Sequence, residues 1–168
     1  AAIEAGAEFV VTPVSKPEVI AMAHQHNKPI LSGAMTPTEI LQAYEWGADI
    51  VKLFPAANFG LSYFKAVKAP MPHLPIMPTG GVTIENAAEW LRNGALCLGV
   101  GSTLINKELI AQKDFTEIRD RLVEFSKKIG LSVGEFKKLV SRIQKGERES
   151  RIAKKEMVEA NLRLVISI

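Results

Sequence analysis

The sequence predicts an α/β chain of five successive βα units followed by a C-terminal helical extension. Three observations lead there. Short apolar runs begin at Phe9, Pro29, Ile50, Leu74 and Leu96, about 20 to 25 residues apart. The stretches between them carry helical periodicity, the pattern of parallel strands joined by right-handed crossovers. From Gly130 onward the strand signal stops, and only helical patterns follow.

The first strand is expected around Phe9–Val11, within Glu8–Thr12, and the helix after it starts at a capping box of Ser15 with Glu18. The second covers Pro29–Leu31 and is followed by the box Thr36 with Glu39, where Pro37 takes the first helical position. That pattern makes Glu39 a cap rather than a catalytic acid. The third, Ile50–Leu53, lies between Gly47 and Pro55; the fourth is Leu74–Met77 and the fifth Leu96–Val100. Asp114 with Glu117 is a variant cap for a late helix. Trp46 and Trp90 sit near helix ends, where packing residues are common.

The third strand carries the chemistry. Side chains alternate along a strand, so Ile50, Lys52 and Phe54 share one face while Val51 and Leu53 share the other. If both faces are covered, Lys52 cannot reach water, and burial of a cationic ammonium favours the neutral amine. A neutral amine near pH 7 is a nucleophile for ketones, the first requirement of Schiff-base catalysis. The structural alternative is an edge strand from which Lys52 snorkels outward.

Glycine-rich turns follow the last two strands: Pro78-Thr79-Gly80-Gly81-Val82 and Gly99-Val100-Gly101-Ser102-Thr103. Glycines let a backbone approach a ligand closely, and amides at a following helix N-terminus suit phosphate. Either turn alone could be an ordinary connection. Two of them after consecutive strands match the phosphate site that (β/α)₈ barrels build after strands seven and eight.

VKLFPA (51–56), TPTE (36–39), PTGGV (78–82) and GVGS (99–102), in this order and spacing, resemble 2-keto-3-deoxy-6-phosphogluconate aldolase over residues 1–129. The resemblance implies a class I aldolase on a (β/α)₈ barrel, a carbon–carbon lyase that is oligomeric and needs no metal or other cofactor. It assigns the Schiff base to Lys52 and phosphate contacts to Thr79, Gly80, Gly81, Gly101 and Ser102. It also places Pro13 and Phe54 in the substrate pocket. Ser32-Gly33 departs from the family's usual Pro-Gly. The opening residues, 1–7, resemble the end of the family's third helix, so the expectation is an incomplete barrel of strands four to eight. The family's proton-transfer glutamate has no counterpart here, which implies a loss of about 10² to 10⁴ in rate. Open sheet edges imply a homo-oligomer.

Residues 130–168 differ in charge as well as pattern. Lys plus Arg number 9 there against 5 Asp plus Glu, while residues 1–129 carry 12 against 13, so the net +3 comes from the tail. Cations interleaved with acids on helix faces, with Phe136 the lone aromatic, do not make a nucleic-acid footprint. KGERESRIAKKEMVEANLRLVISI (145–168) resembles the primary bacterial sigma factor ahead of its core-binding region, with Met157, Leu164 and Ile168 on one stripe. Two incomplete resemblances joined at Ile129–Gly130 imply a truncated or chimeric aldolase. The alternatives are a non-catalytic folded chimera and, as a lesser reading, a segment that binds the RNA polymerase core. The expected partners are a small phosphorylated keto acid and further copies of the chain.

Composition sets the remaining limits. With 168 residues and 47% apolar side chains the chain can bury a substantial core. The single cysteine, Cys97, excludes an intrachain disulfide and reads as a packed thiol. His24 and His26, two apart on a helix, do not face one metal. No apolar run approaches the roughly 18 residues of a membrane span, and a cytoplasmic location is expected.

Overall fold

The computed structural model describes residues 2–105, 107–112, 114–128 and 130. Apart from Gly130, the expected helical extension, its sigma-factor resemblance and the join into it lie outside the described residues. Strands β1 (Val10–Val11), β2 (Ile30–Ala34), β3 (Ile50–Leu53) and β4 (Ile76–Pro78) form one parallel sheet in sequential order. Helices α1 (Pro17–Gln25), α2 (Pro37–Glu45) and α3 (Gly60–Lys68) connect them. Helices α4 (Ala87–Arg92), α5 (Lys107–Gln112) and α6 (Phe115–Lys128) follow β4.

Each of the first four helices buries a pair one turn apart: Ile20 and Ala23, Ile40 and Ala43, Phe64 and Val67, Ala87 and Trp90. These pairs close over Ile30, Val51, Leu53 and Ile76 in one apolar cluster. The register pairs Gly33 with Lys52 and Lys52 with Met77, and it pairs Ser32 with Val51 and Val51 with Ile76. Alternation therefore puts Ser32, Val51, Leu53 and Ile76 on the helix-covered face. Leu31, Gly33, Ile50, Lys52 and Met77 occupy the other, outside the cluster.

The structure departs from the sequence pattern in four places. The expected fifth strand, Leu96–Val100, follows β4 through Leu96 N–H to Ile76 O (3.0 Å) and Gly99 N–H to Pro78 O (2.9 Å). It adds only one bridge, Thr79 with Gly99, because glycine weakens a strand and Leu96 is left 58% exposed. Cys97 therefore lies half-buried in a bend rather than in a strand. Ser15 does not cap α1; Lys16 holds the cap position without a side-chain bond, and the Ser15 hydroxyl turns to β2. Trp90 packs on Phe64 in the core, but Trp46 ends α2 with 43% of its surface exposed. The Thr36–Glu39 capping box forms as expected, and Asp114 accepts from Glu117 N–H at 3.0 Å.

Candidate functional site

Lys52 stands in the middle of the sheet, between Gly33 of β2 and Met77 of β4, and is 6% exposed. Among the described residues no hydrogen bond or ion pair reaches its amine. Nζ lies 4.7 Å from the centroid of the Phe54 ring instead. Desolvation alone lowers the Lys52 pKa, since nothing charged offsets it. The edge-strand alternative fails because β3 has a neighbour on each side.

The end of β3 is laced to the end of β4. Thr79 N–H donates to Leu53 O at 2.9 Å, Ala56 N–H to Thr79 O at 2.8 Å and Ala57 N–H to Gly80 O at 2.9 Å. Gly80 and Gly81 have φ of 84° and 77°, a left-handed backbone that favours glycine. A Cβ on Gly81 would collide with that of Ala57, and one on Gly80 would come 3.4 Å from the Phe54 ring. Phe54 is thus packed between the amine and the Gly-Gly turn.

The second glycine turn comes to the first. Gly99 bridges Thr79, and Thr103 Oγ1 donates to Val82 O at 3.1 Å. Gly101 O accepts from Leu104 N–H (2.9 Å) and Ile105 N–H (3.0 Å), while Ser102 is exposed beside it. The buried Thr79 Oγ1 has no hydrogen-bond partner among the described residues. An unmet buried hydroxyl costs about 1–3 kcal/mol, so a ligand oxygen or water there would be favourable. The helices expected directly after these turns begin later, at Ala87 and Lys107. An Asn86 turn intervenes after the first, with its side chain accepting from Thr83 N–H at 2.8 Å and donating to Gly81 O at 2.9 Å. Loop backbone, rather than a helix N-terminus, borders both turns.

On the opposite flank a cleft of ≈ 240 Å³ is lined by Pro13, Ser15, Met35, Glu39, Trp46 and Phe54 among others. Lys52 is not one of its lining residues, but Phe54 and Gly33, the neighbour of Lys52 in register, are. Glu39 Oε2 accepts from Met35 N–H at 3.0 Å and Thr36 N–H at 2.7 Å. The Thr36 amide first and the Met35 amide second hold its carboxyl below the usual range. Among the described residues the only acid on the cleft wall is therefore an ionised cap. His24 pairs with Asp49 at 3.0 Å, and no three His, Cys, Asp or Glu among the described residues cluster as metal ligands.

Residues 1–121 match the family of KDPG and KHG aldolases. The chain belongs to that family. The 2-dehydro-3-deoxy-phosphogluconate aldolase of Treponema pallidum is 36% identical over 115 residues, covering 68% of this chain and 55% of the relative. The 2-dehydro-3-deoxy-6-phosphogalactonate aldolase of Escherichia coli is 40% identical over 100 residues, covering 59% and 49%. The chain thus spans about half the length of the curated relatives it matches. Among solved structures, a native KDPGal structure superposes with a TM-score of 0.65 at 29% identity, covering 78% of this chain and 67% of that one. A KDPG aldolase of Legionella pneumophila, solved with pyruvate captured at low pH as a covalent carbinolamine intermediate, gives 0.65 at 26%, covering 77% and 61%. The family match ends short of residues 130–168.

Within this aldolase-family fold the structure groups Lys52, Phe54, Thr79, Gly80 and Gly81, with Pro13 against Gly33 on the cleft side, while Gly101 and Ser102 belong to the turn that Gly99 and Thr103 tie to the first. Sequence reasoning named Ser32-Gly33 only as a departure from the family's Pro-Gly and Ser15 only as a cap; it missed that Gly33 faces Lys52 and that Ser15 bonds Ser32. A glycine inside a β-strand run was the available signal for the first, and a serine in an otherwise apolar run for the last.

Proposed function

We propose that the chain carries the Schiff-base half of a class I aldolase acting on 2-keto-3-deoxy-6-phosphogluconate or a close phosphorylated 2-keto acid. The observation that supports this most is the desolvated Lys52 amine, which lies beside the Phe54 ring and has no hydrogen-bond or ion-pair partner among the described residues. As a neutral amine, Lys52 adds to the C2 ketone; loss of water from the carbinolamine gives an iminium. Removal of the C4 hydroxyl proton breaks the C3–C4 bond and releases glyceraldehyde 3-phosphate, the bonding pair passing into the iminium as an enamine. Protonation at C3 and hydrolysis return pyruvate and the free amine.

The phosphate end is assigned to the glycine turns at Thr79–Gly81 and Gly101–Ser102, where Thr79 Oγ1 offers an unpaired hydroxyl. The cleft bearing the Glu39 anion is unsuited to a phosphate, which orients the substrate. Glu39 is also unsuited to shuttle protons, because its carboxylate is committed to two backbone amides. The carbinolamine captured in the Legionella relative supports the covalent step. We also propose a homo-oligomer, since β1 is an edge strand with Phe9 41% exposed beside it; sedimentation should show a dimer or larger.

Borohydride reduction in the presence of pyruvate tests the assignment independently of turnover. One pyruvate-derived adduct per chain, mapped to Lys52 and absent from Lys52→Met, is expected. Equal labelling of the variant would assign the adduct to surface lysines and remove the proposal.

A further inference from the structure

Ser15 joins the loop after β1 to the end of β2. Its Oγ donates to Gly33 O at 2.9 Å and lies 2.8 Å from Ser32 Oγ, with Thr12 Oγ1 a further 3.4 Å from Ser32. A hydroxyl has one proton to give, so while Ser15 donates to Gly33 it accepts from Ser32. Ser32 is fully buried on a face otherwise made of Ile30, Val51, Leu53 and Ile76. Such a hydroxyl is tolerated only where it is bonded.

The same contacts govern the other side of β2. A Cβ on Gly33 would collide with the Pro13 carbonyl oxygen, so the turn lies directly on Gly33. Gly33 in turn faces Lys52 in register. Pro13, Ser15 and Gly33 line one cleft together with Phe54, whose ring lies 4.7 Å from the amine. A shift of this turn would therefore alter the wall against which a keto acid is held for attack.

We propose that Ser15 and Ser32 are positioning residues: their paired hydroxyls pin the Pro13 turn onto Gly33 and so fix the substrate wall beside Lys52. The substrate part of this rests on the aldolase reading above; the pinning does not. Two measurements on the full chain separate them. Amide exchange over residues 12–16 should rise about three- to tenfold in Ser15→Ala, the factor one net hydrogen bond carries. The pyruvate concentration giving half-maximal borohydride trapping should rise by a similar factor, with the maximal yield of one adduct unchanged. Ser15→Thr, which keeps the hydroxyl, should restore both readouts, and Ser32→Ala, which leaves the Ser15–Gly33 bond, should shift both less. Unchanged exchange in Ser15→Ala overturns the pin, whatever the trapping shows. Raised exchange with unchanged half-saturation overturns the substrate role. A wild-type chain that traps no pyruvate removes the aldolase reading and the substrate role together, while exchange still decides the pin.

Discussion

On the helix-covered face of the sheet, Ile30, Ser32, Val51, Leu53 and Ile76 are at most 1% exposed and belong to or adjoin one continuous core. On the opposite face of the same strands stand Leu31, Gly33, Ile50, Lys52 and Met77, outside that core, with a desolvated amine at the centre. The strands are common to both faces, so the difference lies in the alternation of side chains. The covered face supplies stability through burial. The other can therefore keep a residue that costs stability because its chemistry needs it.

The largest expected effect breaks the second face alone. Lys52→Met should abolish the pyruvate adduct while raising stability by about 0.5–2 kcal/mol, the scale commonly gained when a destabilising functional group is removed. The pH dependence carries the sign. Folding lowers the Lys52 pKa below its ordinary 10.5, so between the two values the unfolded chain holds the extra proton. Wild-type stability should accordingly rise with pH through that window and level off above it. The urea midpoint of wild type should thus close on that of Lys52→Met as the medium becomes more alkaline. A constant gap would mean that Lys52 is not desolvated in the folded chain.

The next effect compares the faces through one kind of truncation. Leu53→Ala opens a cavity in the sealed core and should cost about 2–5 kcal/mol. Leu31→Ala removes the same atoms from a half-buried position and should cost less than half as much. Equal losses in urea unfolding would show that the Lys52 face is packed as tightly as the helix side.

Gly33→Ala is smaller in atoms but falls on backbone. The new methyl would meet the Pro13 carbonyl rather than a flexible side chain, so the turn must move, at about 1–3 kcal/mol. Because Gly33 is beside Lys52, pyruvate trapping should weaken as stability falls. Normal trapping in a destabilised variant would uncouple the turn from the amine.

Which parts of this arrangement the sequence exposes follows from the range of the forces involved. The four strands and the Thr36–Glu39 cap are set by neighbours within a few residues, so periodicity and capping rules find them, whereas the burial of Lys52 depends on β2 and β4 and stays open against an edge strand in the sequence alone. The grouping of the two glycine turns followed from motif order, since consecutive parallel strands bring their ends together. The failed fifth strand was not legible: Leu96–Val100 is a continuous apolar run like the other strands, and the glycines in and after it and the exposure of Leu96 go with the lost ladder. Ser15 reads as a cap because Glu18 stands three residues on. Its true partners, Ser32 and Gly33, lie 17 and 18 residues away, beyond any local rule. Trp46 was misplaced for a similar reason, since a helix end by itself does not show which side the core takes.

The smallest expected effect tests the residue at the rim between the two faces. Glu39 lines the cleft beside Phe54, so its position alone would permit a catalytic role. Its bonds do not: the carboxylate that accepts from Met35 and Thr36 amides is held ionised and has no proton to give near neutral pH. Because its folded pKa lies below 4.5, the stabilisation is present above that value and is lost as the medium is acidified through the folded pKa. Thr36→Ala, which removes the other half of the capping box, should cost about 1 kcal/mol. Glu39→Gln keeps the shape and an acceptor but loses the charge, so it should flatten the acid limb of the stability profile and cost less than Thr36→Ala. Both variants should trap pyruvate with wild-type half-saturation, because neither touches the Lys52 face. A Glu39→Gln chain that folds normally yet traps pyruvate about tenfold more slowly would make Glu39 a working acid–base group and move the proton chemistry into the cleft.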